Sequence, residues 1–100
     1  MFFIYFLYSE KSGIYYVGHT ENYLRRFEQH NQTDRDTFTK KHRLWKLIAV
    51  FECGNQRNEA LKIEKFIKKQ KSRKLIEKII AGDEMNGLLA QLVRVPDVRD

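Results

Sequence analysis

Scarcity is informative in this 100-residue chain. A single cysteine, Cys53, excludes an internal disulfide and a cysteine-based zinc site. Beside an apolar run, it reads as a small core or rim residue. One proline and five glycines are too few for a linker or a low-complexity stretch, and no repeat is present. Hydrophobic runs are short as well. The opening "MFFIYFLY" has no basic leader or small-residue cleavage site, and its eight residues cannot span a bilayer. A cytoplasmic protein, with no membrane partner, is the expectation. Acidic residues are in deficit: 19 Lys and Arg against 13 Asp and Glu give a net charge of +6. That balance either serves solubility or draws in a polyanion, for which nucleic acid is the commonest candidate.

What is present reads as one domain with one core. Phe2 to Tyr8 is unbroken aromatic and aliphatic sequence, ended by "SEKSG", and Ile14 to Gly18 is again β-branched and aromatic. The pair reads as an antiparallel hairpin, placed centrally because both faces are apolar. From Thr20 the period changes. Thr20 or Asn22 can cap a helix with Glu21 near its positive end, Leu24 and Phe27 form its apolar stripe, and Asn31 marks an exit. Residues 32–43 are polar and loop-like, Leu44 to Phe51 is a third strand, and "CGN" ends it. A helix follows from Gln56 to Lys69 with Ala60, Ile63 and Ile67 on one stripe. Ser72 can cap another, ending at Gly82. The expected architecture is α+β: a small three-stranded antiparallel sheet flanked by helices, in the order β-β-α-β-α-α. The domain is expected over residues 1–82, with 83–100 a C-terminal tail, docked or disordered.

Two helical positions break the pattern. Glu64 falls on the inward stripe with Ala60, Ile63 and Ile67, and an ionised carboxylate removed from water costs several kcal/mol (order of magnitude) unless paired or bound to metal. Either it sits at the stripe's edge and pairs with Lys68 at i+4, or it points into a cleft and holds a divalent cation. On the first helix Arg26 and His30 lie four apart. A guanidinium beside an imidazole suits a bound phosphate, while an ordinary solvated face is the alternative.

The stretch "SGIYYVGHT" contains Gly13-Ile14-Tyr15 and Tyr16-Val17-Gly18 back to back. Adjacent strand residues face opposite ways, so Tyr15 and Tyr16 cannot share a site. Together with "YLRRFEQHN", "TFTKKHRLWKL" and "RNEALKIEKFIKKQKSRKLIEK", these segments make the chain resemble the GIY-YIG nuclease superfamily, and its small single-domain bacterial members most closely. In that family the two motif tyrosines lie about eleven residues apart, which by resemblance makes Phe3-Ile4-Tyr5 the first motif and the literal Gly13-Ile14-Tyr15 a decoy at the turn. Phe3 stands where the family's name-giving glycine would be.

The resemblance implies an endonuclease hydrolysing phosphodiester bonds in DNA, structure-guided and of a repair or recombination type. One divalent cation, Mg²⁺ or Mn²⁺, would sit on Glu64, with no small-molecule cofactor. Arg26 would neutralise the scissile phosphate, with His30 beside it. Tyr5 or Tyr16 would be general base, although a free phenol is only about 0.1% ionised at pH 7. For DNA contact the candidates are His19, Lys40 and His42, each alternatively a turn or loop residue. Lys65, Lys68, Lys69, Lys71, Arg73 and Lys74 in the basic run 62–78 are further candidates, alternatively a solvated helix face. Trp45 reads as strand packing. Two other classes stay open: a nucleic-acid-binding module without turnover, and a protein-interaction domain whose charge is incidental.

Overall fold

The computed structural model describes residues 1–32 and 41–96. Its elements are β1 (Phe3–Ser9), β2 (Ile14–Thr20), α1 (Tyr23–Gln32), β3 (Trp45–Glu52), α2 (Arg57–Gln70), α3 (Arg73–Ala81), a 3-10 turn (Gly87–Gln91) and β4 (Val93–Arg94). The strands form one antiparallel sheet in the order β2-β1-β3-β4. The sheet is thus one strand wider than expected. β4 is too short and polar to announce itself in the sequence, and it exists because the tail docks: Leu89 is buried and the Val95 amide donates to the Val50 carbonyl at 2.9 Å. The expected central hairpin is half right. β1 is central, but β2 is an edge strand whose two apolar faces are covered by helices instead of by a further strand.

Each face of the sheet carries its own core. Ile4, Phe6 and Val17 pack with Ala60, Ile63 and Ile67 of α2 and Ile79 of α3. On the opposite face Tyr5, Leu7, Trp45, Leu47 and Val50 pack with Tyr16 and with Tyr23 and Phe27 of α1. Against β1, the register of β3 jumps from Phe6↔Ala49 to Leu7↔Leu47. This bulge at Ile48 shifts the inward phase, so Leu47 and Ala49 serve different cores although they are two residues apart. An apolar run of the "LIAVF" type accommodates that shift because either face suits it.

Local chemistry ends the helices near where the sequence suggests. The Asn22 side chain accepts from the Arg25 amide at 3.1 Å, and Ser72 Oγ accepts from the Leu75 amide at 3.0 Å. Gly82 closes α3 in the left-handed region (φ 86°). Cys53 is buried and its thiol, pushed up by burial, donates to the Phe2 carbonyl. Among the described residues no helix is long and apolar enough to cross a membrane.

Candidate active site

The hairpin register sets the first half of the site. Tyr5 pairs with Gly18 and Leu7 with Tyr16, so the two tyrosines stand one diagonal step apart on the α1 face. Their ring centroids are 6.2 Å apart. Tyr15 points the other way, its hydroxyl donating to Glu77 of α3 at 3.3 Å. Gly13, at φ 66°, is the turn residue that starts β2, its amide donating to the Ser9 carbonyl. Gly18 has a different task. A Cβ there would lie 2.6 Å from Tyr5 Cζ, so the missing side chain is the space the phenol occupies.

α1 supplies the next layer. His30, only 3% exposed, shares a 2.8 Å hydrogen bond between its Nε2 and the Tyr5 hydroxyl. Its ring is 4.6 Å from that of Tyr16, centroid to centroid. His30 is therefore a buried clamp on the phenol pair. The Arg26 guanidinium sits one turn earlier, exposed, near enough to the Tyr5 hydroxyl to act on it electrostatically, and donates to Gln29 Oε1 at 3.2 Å. Burial pushes the Tyr5 phenol well above its ordinary value. Neighbouring Tyr16 adds to the rise, Arg26 opposes it by hydrogen bond and charge, and the Glu64 charge again adds to it. That phenol, 1% exposed, feels groups from both α1 and α2.

Glu64 comes from α2, on the other side of the sheet edge. Its Oε1 accepts from His19 Nδ1 at 2.6 Å and its Oε2 from Lys68 Nζ at 2.8 Å, with the side chain 14% exposed. Burial would raise this carboxyl, but the hydrogen bonds and charges of Lys68 and His19 outweigh burial and hold it below its usual value. The result is a partly sheltered, ionised carboxylate. Among the described residues no group of three or more His, Cys, Asp or Glu is placed to hold a metal. A single carboxylate still fits a hard cation of the Mg²⁺ kind, which keeps several waters and takes phosphate oxygens as ligands.

Past His19, a polar groove of about 470 Å³ opens. Arg25, Arg26 and Gln29 of α1 form one wall, and Arg57 at the start of α2 forms the other. Three guanidiniums and an imidazole, against the single carboxylate of Glu21, leave this concave surface cationic and able to chelate phosphate oxygens in pairs.

The structure thus gathers Tyr5, Tyr16, Arg26, His30, His19, Glu64 and Lys68. The remaining candidates distribute as follows. Lys71 and Arg73 line a second cavity beside Tyr16. His42 lies at the turn end of the hairpin, its Nδ1 2.7 Å from Ser12 Oγ. Lys65, Lys69 and Lys74 are exposed helix positions outside both cavities. Lys40 lies outside the described residues. Sequence reasoning left two contributors without their part: Gly18, read only as a motif letter, and His19, read as a contact or turn residue where it is a hydrogen-bond partner of Glu64. A signal for the second was available. Residues 17 and 19 share a face, and the apolar Val17 pointed that face toward α2.

Comparison with known proteins agrees with the geometry. A family model described as the GIY-YIG catalytic domain matches residues 1–77. The chain is 34% identical over 73 residues to UPF0213 protein FN1575 of Fusobacterium nucleatum subsp. nucleatum, a match spanning 70% of this chain and 72% of that protein. With a family model over the whole segment from β1 through most of α3, and a curated relative at this identity, the chain belongs to the GIY-YIG nuclease family.

Proposed function

We propose that the protein is an endonuclease that hydrolyses phosphodiester bonds in DNA with one divalent cation. One observation carries the reading: the buried Tyr5 phenol stands beside Tyr16 and His30, with the Arg26 guanidinium acting on it, while the Glu64 carboxylate is held ionised at the same sheet edge through His19 of β2, so that four elements bring their functional groups to one place. A purely structural cluster has no need of an exposed arginine beside the phenol pair and a partly sheltered, ionised carboxylate at the same sheet edge.

Glu64 is the residue that would hold a divalent ion, which when bound would supply Lewis acidity and charge neutralisation for the phosphodiester. The chain's own groups do the rest. Arg26 binds the non-bridging oxygens of the scissile phosphate, with Arg25 and Arg57 holding neighbouring phosphates in the same groove. Tyr5, kept neutral by burial, orients the attacking water by hydrogen bond, and His30 fixes that hydroxyl. Tyr16, half-buried in a cavity wall, is the general base: its oxygen, having first given its own proton to solvent, takes the water proton as the water oxygen bonds to phosphorus and the P–O bond to the leaving sugar breaks. His19 holds the Glu64 carboxylate in place. Cations directed at phosphate carry no base sequence, so the enzyme selects by the shape of branched or damaged DNA, in a repair or recombination setting.

The test is nicking of plasmid and branched oligonucleotides with Mg²⁺ or Mn²⁺, then with chelator. The expected outcome is metal-dependent nicking, lost in Glu64→Ala and slowed about 10²–10³-fold in Arg26→Ala. Nicking that survives both chelator and Glu64→Ala sinks the mechanism. Salt-sensitive binding with no nicking under any metal identifies a non-catalytic DNA-binding module instead.

A further inference from the structure

Tyr16 also borders a cavity whose other walls have no part in the mechanism. Between the free edge of β2 and the α2–α3 corner lies a space of about 410 Å³, contiguous with the reaction centre because Tyr16 and Lys68 border it. Its size is at the lower end of ligand sites, suited to one ring system and not to a helix or a duplex. Its walls are Tyr15, Ile14 and Val17 of β2, with Ile67 and Ile76 of the helices opposite, so a flat apolar body is favoured. Its rim is cationic, formed by Lys68, Lys71 and Arg73.

Three further observations narrow the occupant. First, β2 is an edge strand, so alternate N–H and C=O groups of Ile14 to Val17 point away from β1 and offer donors and acceptors to a polar ring edge. Second, the cations differ in what they already do. Arg73 lies over the Tyr15 ring at 5.2 Å and bonds Glu77 and the Gly13 carbonyl, so it braces that aromatic wall. Lys71 is held by no ion pair among the described residues, and it occupies the left-handed C-cap of α2 (φ 49°), where glycine is the favoured residue. A lysine at that position brings a charge to the rim at the expense of backbone preference. Third, the same two elements wall both cavities: on α2 Arg57 lines the phosphate groove and Ile67 this cavity, and on β2 His19 and Thr20 line the groove and Val17 this cavity, with the His19–Glu64 bond joining the elements between them.

We propose that this cavity receives an unpaired nucleobase of the DNA strand whose phosphate lies in the Arg26 groove. Tyr15 and, opposite it, Ile67 and Ile76 hold the ring, β2 meets its polar edge, and Lys71 meets the adjoining phosphate. The proposal rests on the nuclease reading and deepens it, since a pocket for an unpaired base makes the site select duplexes that are bulged, gapped or branched.

The experiment measures binding by fluorescence anisotropy in chelator with two labelled hairpins: one with a single bulged adenine, the other with an abasic residue at the bulge. The wild-type protein should prefer the base-bearing hairpin by about five- to a hundredfold. Tyr15→Ala, which removes the stacking wall, and Ile76→Trp, which fills the cavity, should each erase that preference while circular dichroism reports a folded chain. Lys71→Gly should raise the melting temperature yet weaken both complexes and reduce the salt slope by about one. Equal affinity of the wild-type protein for the two hairpins overturns the base pocket. Preference unchanged in both Tyr15→Ala and Ile76→Trp overturns it too. Plasmid nicking by the same preparations reports separately on the nuclease reading, and absence of both nicking and salt-dependent binding overturns the two together.

Discussion

The sharpest test of the site's construction is Gly18→Ala, a single added methyl. Tyr5 and Gly18 are register partners, and the phenol crosses the strand where a side chain would stand. The new Cβ would sit 2.6 Å from Tyr5 Cζ and 2.9 Å from Cε1. Carbon atoms pack at about 3.5–4.0 Å, so the ring must move by roughly 1 Å. It has little room to do so: Tyr5 is 1% exposed and walled by Leu7, Val50 and Trp45. Overpacking of this kind costs about 1–3 kcal/mol. A displaced ring also loses its 2.8 Å bond to His30, worth about 1 kcal/mol. The sum is about 2–4 kcal/mol in urea unfolding, a fall in melting temperature of roughly 10–30 °C for a chain of this size. Combining Gly18→Ala with Tyr5→Leu, which removes the ring, should give much less than the sum of the single costs, because the clash needs both partners. A single-variant cost below about 0.5 kcal/mol, or strict additivity in the cycle, refutes the close approach as the reason for glycine.

Because folding raises the Tyr5 phenol above its ordinary 10.0, the stability it confers is intact below pH 10. Above that, the unfolded chain ionises first and about 1.4 kcal/mol is lost per pH unit. Wild type should therefore exceed Tyr5→Phe by about 1 kcal/mol at pH 8, with the gap closing near pH 11. A gap constant with pH in urea titrations contradicts the buried phenol. Ser72→Ala should cost about 1 kcal/mol and Ser72→Gly only a few tenths, as for a helix cap. Equal losses in the two variants would remove capping as the cause.

How much of this was legible beforehand depended on the range of the interaction. Helix ends announced themselves, because Asn22, Ser72 and Gly82 act within three or four residues of where they stand. The opposite facing of Tyr15 and Tyr16 was legible too, since alternation is intrinsic to a strand. Glu64 was conspicuous as a charge on an apolar stripe, and its i+4 pairing with Lys68 was one of the two readings available. What stayed hidden was long-range. No local pattern tells that His19 will meet a side chain 45 positions later, that Ile48 will bulge, or that Val93 and Arg94 will add a strand. The inward turn of His30 was also missed: the helix pattern set it beside Arg26, but Tyr5 draws it into the core.

Asn31 has a consequence for how this scaffold tolerates change. Its side chain donates to the Trp45 carbonyl at 3.0 Å and accepts from the Trp45 amide at 2.7 Å, imitating a neighbouring strand for one residue. Arg43 adds a third tie, donating to the Asn31 carbonyl at 3.0 Å. The chain on either side of residues 33–40 is thus tied together by its own hydrogen bonds. Each doubling of a flexible loop costs only about 0.6 kcal/mol in closure entropy, so a flexible insert between such anchors leaves the contacts of Asn31 with Arg43 and Trp45 in place. An entire recognition module could be spliced in at that point, giving the cleft a new address without retuning its chemistry.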